Sequence, residues 1–204
     1  MTSHPQLHGT GFLLLLKRLV SKRTFEDIDR QLEQLGTEFP LFDHPPLNID
    51  QEGAESLEGL GIRAYQFQVM SCHQGKMGLG AALMKLGFTP VSSTPEQTLY
   101  RNEAGEKLML RMQSEFGGVL LNLVTDSPAL LASIHAQKIA PPAPWQAFPT
   151  VDVGCMDTLQ GELAFWWSQH WTPYWSRLDE NERLQYLQLN NVPAAWKDFL
   201  SLHA

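Results

Sequence analysis

Apolar and polar residues alternate with period two in the stretch 62–70, where Tyr65, Phe67 and Val69 are interleaved with Gln66 and Gln68. That period predicts a half-buried strand, because successive strand side chains point to opposite faces. Four more strand-like runs follow, near 88–92, 98–102, 107–113 and 118–124. Glu103-Ala104-Gly105 and Gly117-Gly118 supply hairpin turns between the last three. Leu108, Leu110 and Met112 are assigned to the core face, with Arg111 opposite. The run 12–20, FLLLLKRLV, reads as a buried strand.

Elsewhere the apolar spacing is helical. Phe25, Ile28, Leu32 and Leu35 follow Thr24 and Asp27, which stand at capping-box spacing, and Gly36 is expected to end that helix. A second helix is expected over 77–86. Asp126-Ser127-Pro128 opens a third, with Leu130, Leu131 and Ile134 on its apolar side. A fourth is expected over 157–171, stopped by Pro173 because the residue before proline disfavours the α region. Asp179 with Glu182 opens another, and Pro193 opens the last, which carries Trp196, Phe199 and Leu200. The stretch 37–61, with Pro40, Pro45, Pro46 and Gly53, reads as an acidic, largely irregular connection.

This order predicts an α+β fold. A small antiparallel sheet, a βαβββ-like unit, carries packed helices and an all-helical C-terminal extension. The expected divisions are a body over 1–138, a Pro-rich linker or strap over 139–150 (IAPPAPWQAFPT), and a helical, Trp-rich extension over 151–204. All 6 tryptophans lie after residue 144.

Composition narrows the class. Of 204 residues 43% are apolar and 18% charged, which suits a packed chain and not a disordered one. The net charge of −7, with no Lys/Arg run longer than two, sets the chain against phosphate backbones and excludes nucleic acid as the expected partner. Phe12 to Leu16 is too short to span a membrane and its basic residues follow it, so neither a membrane helix nor a signal peptide is expected. Cys72 and Cys155 form no disulfide framework and fit a reducing, cytoplasmic setting.

The chemistry centres on SCHQGKMGLGAALMKLGFTP, residues 71–90. Gly75-x-x-Gly78-x-Gly80 reverses the dinucleotide-fold order, and Lys76 is followed by Met77, not by the Ser/Thr of a P-loop. QGKMGLGAAL resembles the pyrophosphate loop of the N-acetyltransferase superfamily, which uses acetyl-CoA, with one residue more between Gln74 and Gly78. The resemblance implies Gln74, Gly78 and Gly80 as cofactor-binding positions, their phosphates held by N–H groups at a helix start. Packing is the competing reading: Gly75 and Gly78 form a turn, Gly80 permits close approach, and Leu79, Leu83, Met84 and Leu86 are core.

The βαβββ order and LMKLGF are similar to the module of the vicinal-oxygen-chelate superfamily, which includes glyoxalases and antibiotic-sequestering proteins. Its enzymes carry His, Glu and Gln metal ligands on strands. Here Gln66, Gln68 and Glu106 are the candidates and no expected strand carries a His, so the resemblance implies ligand sequestering without metal. Cys72 beside His73 reads as a packed thiol, since strand neighbours face opposite ways. No catalytic residue, metal site or resident cofactor is assigned.

The leading expectation is a non-catalytic regulatory protein that holds a protein partner through an acidic surface or its aromatic tail. Trp166, Trp167, Trp171 and Trp175 are the candidate anchors. Core packing competes here too. Leu163, Trp167 and Trp171 share one helix row, while Trp166 lies about 100° away, too wide an arc for one neighbour. The alternatives are an acyl-CoA-dependent acetyltransferase-like protein using the 74–80 loop and a glyoxalase-like small-ligand module.

Overall fold

The computed structural model describes residues 25–41, 53–72, 75–153 and 159–203. The strand expected at 12–20, the Thr24 cap, His73, Gln74 and Cys155 lie outside the described residues. The chain divides into two compact units.

The first unit holds α1 (Phe25–Glu38) and the described residues of 56–64. Helix α1 runs through Gly36 where the sequence suggested a stop. The next turn explains it. Leu35 and Phe39 stand four apart, are 0% and 2% exposed, and are joined by Phe39 N–H donating to Leu35 C=O at 2.8 Å. Burial of two large side chains on one row outweighs the roughly 1 kcal/mol helix penalty of glycine.

The second unit is built on an antiparallel sheet. Its strands are β1 (Ala54–Ser56), β2 (Tyr65–Ser71), β3 (Thr89–Ser93), β4 (Gln97–Arg101), β5 (Lys107–Glu115) and β6 (Gly118–Thr125). Their order across the sheet is β1-β2-β6-β5-β4-β3. After β2 the chain passes through α2 (Gly75–Lys85) to the far edge and returns strand by strand until β6 pairs with β2. The fold is α+β, with four strands following α2.

The register sorts the side chains. Phe67 opposes Leu123, Leu110 opposes Leu123 on the other side, and Leu108 opposes Thr125, so these residues share one face. Leu108, Leu121 and Leu123 are fully buried there, each stabilising by about 1.5–3 kcal/mol. Met112 points the same way but is 53% exposed, although its partner Leu121 is fully buried, so at this row the cover reaches β6 and not β5. Met84, also expected in the core, is 83% exposed on α2, where Leu79, Ala82 and Leu83 form the buried side. At the open edge, β3 is blunted by Pro90 and by a register shift between Pro90 and Ser92.

Turns and caps follow the residues that need them. The two-residue β5–β6 loop puts Phe116 at φ 47 and Gly117 at φ 69, the pair of positive angles a tight hairpin requires. Phenylalanine is costly there, and its ring is held 5.6 Å from that of Phe148. Ser127 caps α3 (Pro128–Ala136) by accepting from the Leu130 N–H at 3.3 Å. The proline-dense stretch behaves as a strap. Pro141, Pro142 and Pro144 are buried, the Cys72 N–H donates to Ala140 C=O at 2.9 Å, and a Cβ on Gly118 would run into the Pro142 ring and the Ser71 carbonyl. It carries the short helix α4 (Pro144–Ala147).

Beyond the strap the described chain is helical: α5 (Gly161–Trp166), a π-helical stretch (Trp167–Trp171), α6 (Thr172–Trp175), α7 (Glu180–Leu189) and α8 (Ala194–His203). Pro173 does not stop the helix. The Thr172 N–H reaches five residues back to Trp167 C=O, and proline enters the first turn of α6, where it has no N–H to lose.

Replacing Leu110 by alanine should cost roughly 2–5 kcal/mol in urea unfolding, while Met112→Ala, on the same face, should change stability by about 0.5 kcal/mol or less. Equal effects would show that the register is wrong.

Candidate functional site

The polar chemistry of the sheet lies on its second face. Strand β2 alternates, so Gln66 and Gln68 point together, away from Phe67. In β6, Asn122 interrupts a run of apolar residues; in β5, Arg111 does the same. Pairing joins these interruptions. Gln97 opposes Arg111, Arg111 opposes Asn122, and Asn122 opposes Gln68. One polar row therefore crosses four strands, about 14 Å long at the usual strand spacing. All four side chains are half-buried, between apolar rows that include Met109 and Val124 on one side and Leu120 and Met70 on the other.

Within the row, Gln68 Nε2 donates to Asn122 Oδ1 at 2.6 Å. Gln66 stands beside this pair. It is 3% exposed, and neither its Nε2 nor its Oε1 has a hydrogen-bond partner. Burying an amide without partners costs about 1–3 kcal/mol. Such a group is rare in a stable core, and native structures keep one for a reason. The row offers donors and acceptors side by side. None of its amides or its guanidinium gains or loses a proton near neutral pH, so it is equipped to recognise and not to transfer protons.

The residues singled out from the sequence are placed elsewhere. Gly75, Gly78 and Gly80 lie inside α2, not in a loop before it. A Cβ on Gly75 would run into Ser71 Oγ and the Ile139 side chain, so close packing accounts for Gly75; one on Gly78 would meet only the movable end of Gln137, and Gly80 faces open space. Gln74 lies outside the described residues. Glu106 is not brought to the glutamines' row. Its carboxylate accepts from Asn102 Nδ2 at 2.7 Å and Ser127 Oγ at 2.8 Å, closing the β4–β5 turn against the start of α3.

Trp166, Trp167, Trp171 and Trp175 form the core of the C-terminal helices, 0%, 4%, 0% and 5% exposed. Trp166 stacks on Trp171 at 6.0 Å and Trp171 on Trp175 at 5.2 Å, each with an interplanar angle of 20°. Their faces are spent on one another. The π-helical stretch makes this possible, since its wider turn aligns residues five apart. Among the described residues no three His, Cys, Asp or Glu side chains cluster to hold a metal, and no helix is long and apolar enough to cross a membrane.

The polar row was not apparent from the sequence, because each member is unremarkable in its own strand. The missed signal was the single polar residue at the middle of each of β5 and β6. The chain matches no family model, no curated protein and no solved structure.

Gln66→Met, which keeps the volume and removes the unpaired amide, should stabilise the protein by about 1–3 kcal/mol. In a chain of this size that is a rise of about 2–4 °C in Tm for each kcal/mol. A fall in Tm would mean that Gln66 is already satisfied.

Proposed function

We propose that this protein is a non-catalytic binding protein whose sheet face holds a small polar molecule by an amide-like edge. The observation that carries the reading is Gln66, buried with both its donor and its acceptor unused. A ligand that donates and accepts side by side, such as a carboxamide, a ureide or the edge of a heterocyclic base, would satisfy it and extend the Gln68–Asn122 hydrogen bond into a ribbon. A cytoplasmic setting goes with this reading, supported by Cys72 as a free thiol. The net charge of −7 argues against a nucleic-acid polymer as the ligand.

A panel of nicotinamide, uracil, hydantoin and glutamine tests it by thermal shift. At least one should raise Tm in the natural protein, and the shift should vanish in Gln66→Met although that variant starts more stable. A hit that persists in Gln66→Met, or a panel without hits, would overturn the reading.

A protein partner is the second reading, favoured by Met77 and Met84, which are seven residues apart on α2 and 77% and 83% exposed. Soft, adaptable methionines suit a contact surface. Met77→Gln with Met84→Gln should then abolish partner capture and leave the small-molecule shift intact. Undiminished capture would remove this reading.

A further inference from the structure

A second site opens between the end of α3 and the helices α6 and α7. A cleft of about 420 Å³ there is lined by Lys138, Tyr174, Glu182 and Tyr186, with Leu178 and Leu189 among its apolar groups. Its size falls in the range of small-molecule sites. Lys138 holds a left-handed backbone, φ 44, a conformation costly for a residue with a Cβ. That backbone presents its ammonium to α7, where Nζ lies 2.7 Å from both Glu182 oxygens. Glu182 also accepts from the Asp179 N–H at 2.8 Å in the capping box of α7.

Two tyrosine hydroxyls add possible donors. Tyr174 is 6% exposed, lines the cleft, and its hydroxyl makes no hydrogen bond among the described residues. Burial, with smaller contributions from Cys72 and Glu182, pushes its pKa up to about 12. Burial, then Tyr174 and Cys72, raises Tyr186 as well. Both phenols therefore stay protonated at neutral pH and can donate.

Helix α7 has no buried residue; it is attached by the Lys138 pair, by Arg183 Nε donating to Trp175 C=O at 3.2 Å with its guanidinium 5.6 Å from the centre of the Trp175 ring, and by the Tyr186 ring, set edge-on against Trp171 and Trp175. An ion pair this open to solvent is weak, so Glu182 can yield Lys138 to a better partner while it keeps its capping contact with the Asp179 N–H.

We propose that this cleft binds a small carboxylic acid with an apolar body, its carboxylate replacing that of Glu182 on Lys138 and accepting from the Tyr174 and Tyr186 hydroxyls. Glu182 is then a built-in competitor, and its removal must tighten binding while removal of Lys138 weakens it. A merely structural ion pair would not give effects of opposite sign.

Calorimetric titration of the full chain with benzoate and hexanoate, against benzamide and hexanamide as neutral isosteres and inorganic phosphate as a bare anion, tests this. The acids should bind and the amides and phosphate should not. Lys138→Gln should weaken the acids by at least about tenfold, and Glu182→Gln should tighten them by about threefold to tenfold. Tyr174→Phe should weaken them by a few-fold, and Gln66→Met should leave them unchanged, which keeps this site separate from the sheet face. The idea is overturned if acids and amides bind alike, if phosphate binds as well as the acids, if Glu182→Gln weakens binding, or if no acid binds to either the natural protein or Glu182→Gln.

Discussion

Strand β6 is hydrogen-bonded to β2 along one edge and to β5 along the other, and the second unit depends on that double pairing. It makes one strand answer to two registers at once. A slip of one residue against either neighbour would carry Leu121 and Leu123 out of the leucine face and swing Asn122 into it. Each buried leucine lost costs about 1.5–3 kcal/mol, and an amide buried in its place costs more. The polar row therefore does two things. It offers hydrogen bonds on the second face, and it penalises every misaligned sheet from the first.

That constraint also bears on Gln66. A sheet that needed polarity only for register would gain nothing from an amide with no partner, because Gln68, Asn122 and Arg111 already mark the alignment. Gln66 opposes Val124, an apolar residue, so an apolar side chain at 66 would continue the row of Met109 and Val124 without penalty. Its retention is a cost in the folded state that a bound molecule would offset. The strength of the binding proposal lies in this mismatch between the residue and its immediate setting.

Much of the fold was legible from local pattern. Period-two alternation marked β2, glycine-bearing turns marked the hairpins, and capping residues at 127 and 179 marked two helix starts within a residue or two. What escaped was non-local. Gly36 and Pro173 are reliable breakers in isolation, yet in one case Leu35 and Phe39 are buried around the glycine, and in the other a π-helical stretch lets proline pass. Met84 and Met112 continued apolar patterns past the ends of the surfaces that bury them. The polar row exists only once strand partners are known, since Gln97 and Gln68 are separated by two strands in the sheet and by the whole of α2 and β3 in sequence.

The C-terminal helices show how a local irregularity can be the economical solution. A regular helix would set Trp166 and Trp171 about 140° apart around the axis. The wider π turn brings them into one stack, and Trp175 extends it by a further four residues. The cost is visible: the indole N–H groups of Trp166, Trp171 and Trp175 are buried without acceptors. Aromatic burial and ring contacts, each pair contributing about 0.5–1.5 kcal/mol beyond area, have to outweigh it. Tyr186 is set edge-on against both Trp171 and Trp175, at 5.7 Å from each. One wall of the cleft is thereby anchored to the aromatic core of the tail, while Glu182, one turn earlier on the same helix, is held by the half-exposed Lys138 ammonium and by its capping contact with the Asp179 N–H. Anchorage at Tyr186 and exchangeability at Glu182 are combined on one helix, so the cleft can change the partner of Lys138 without disturbing the core behind it.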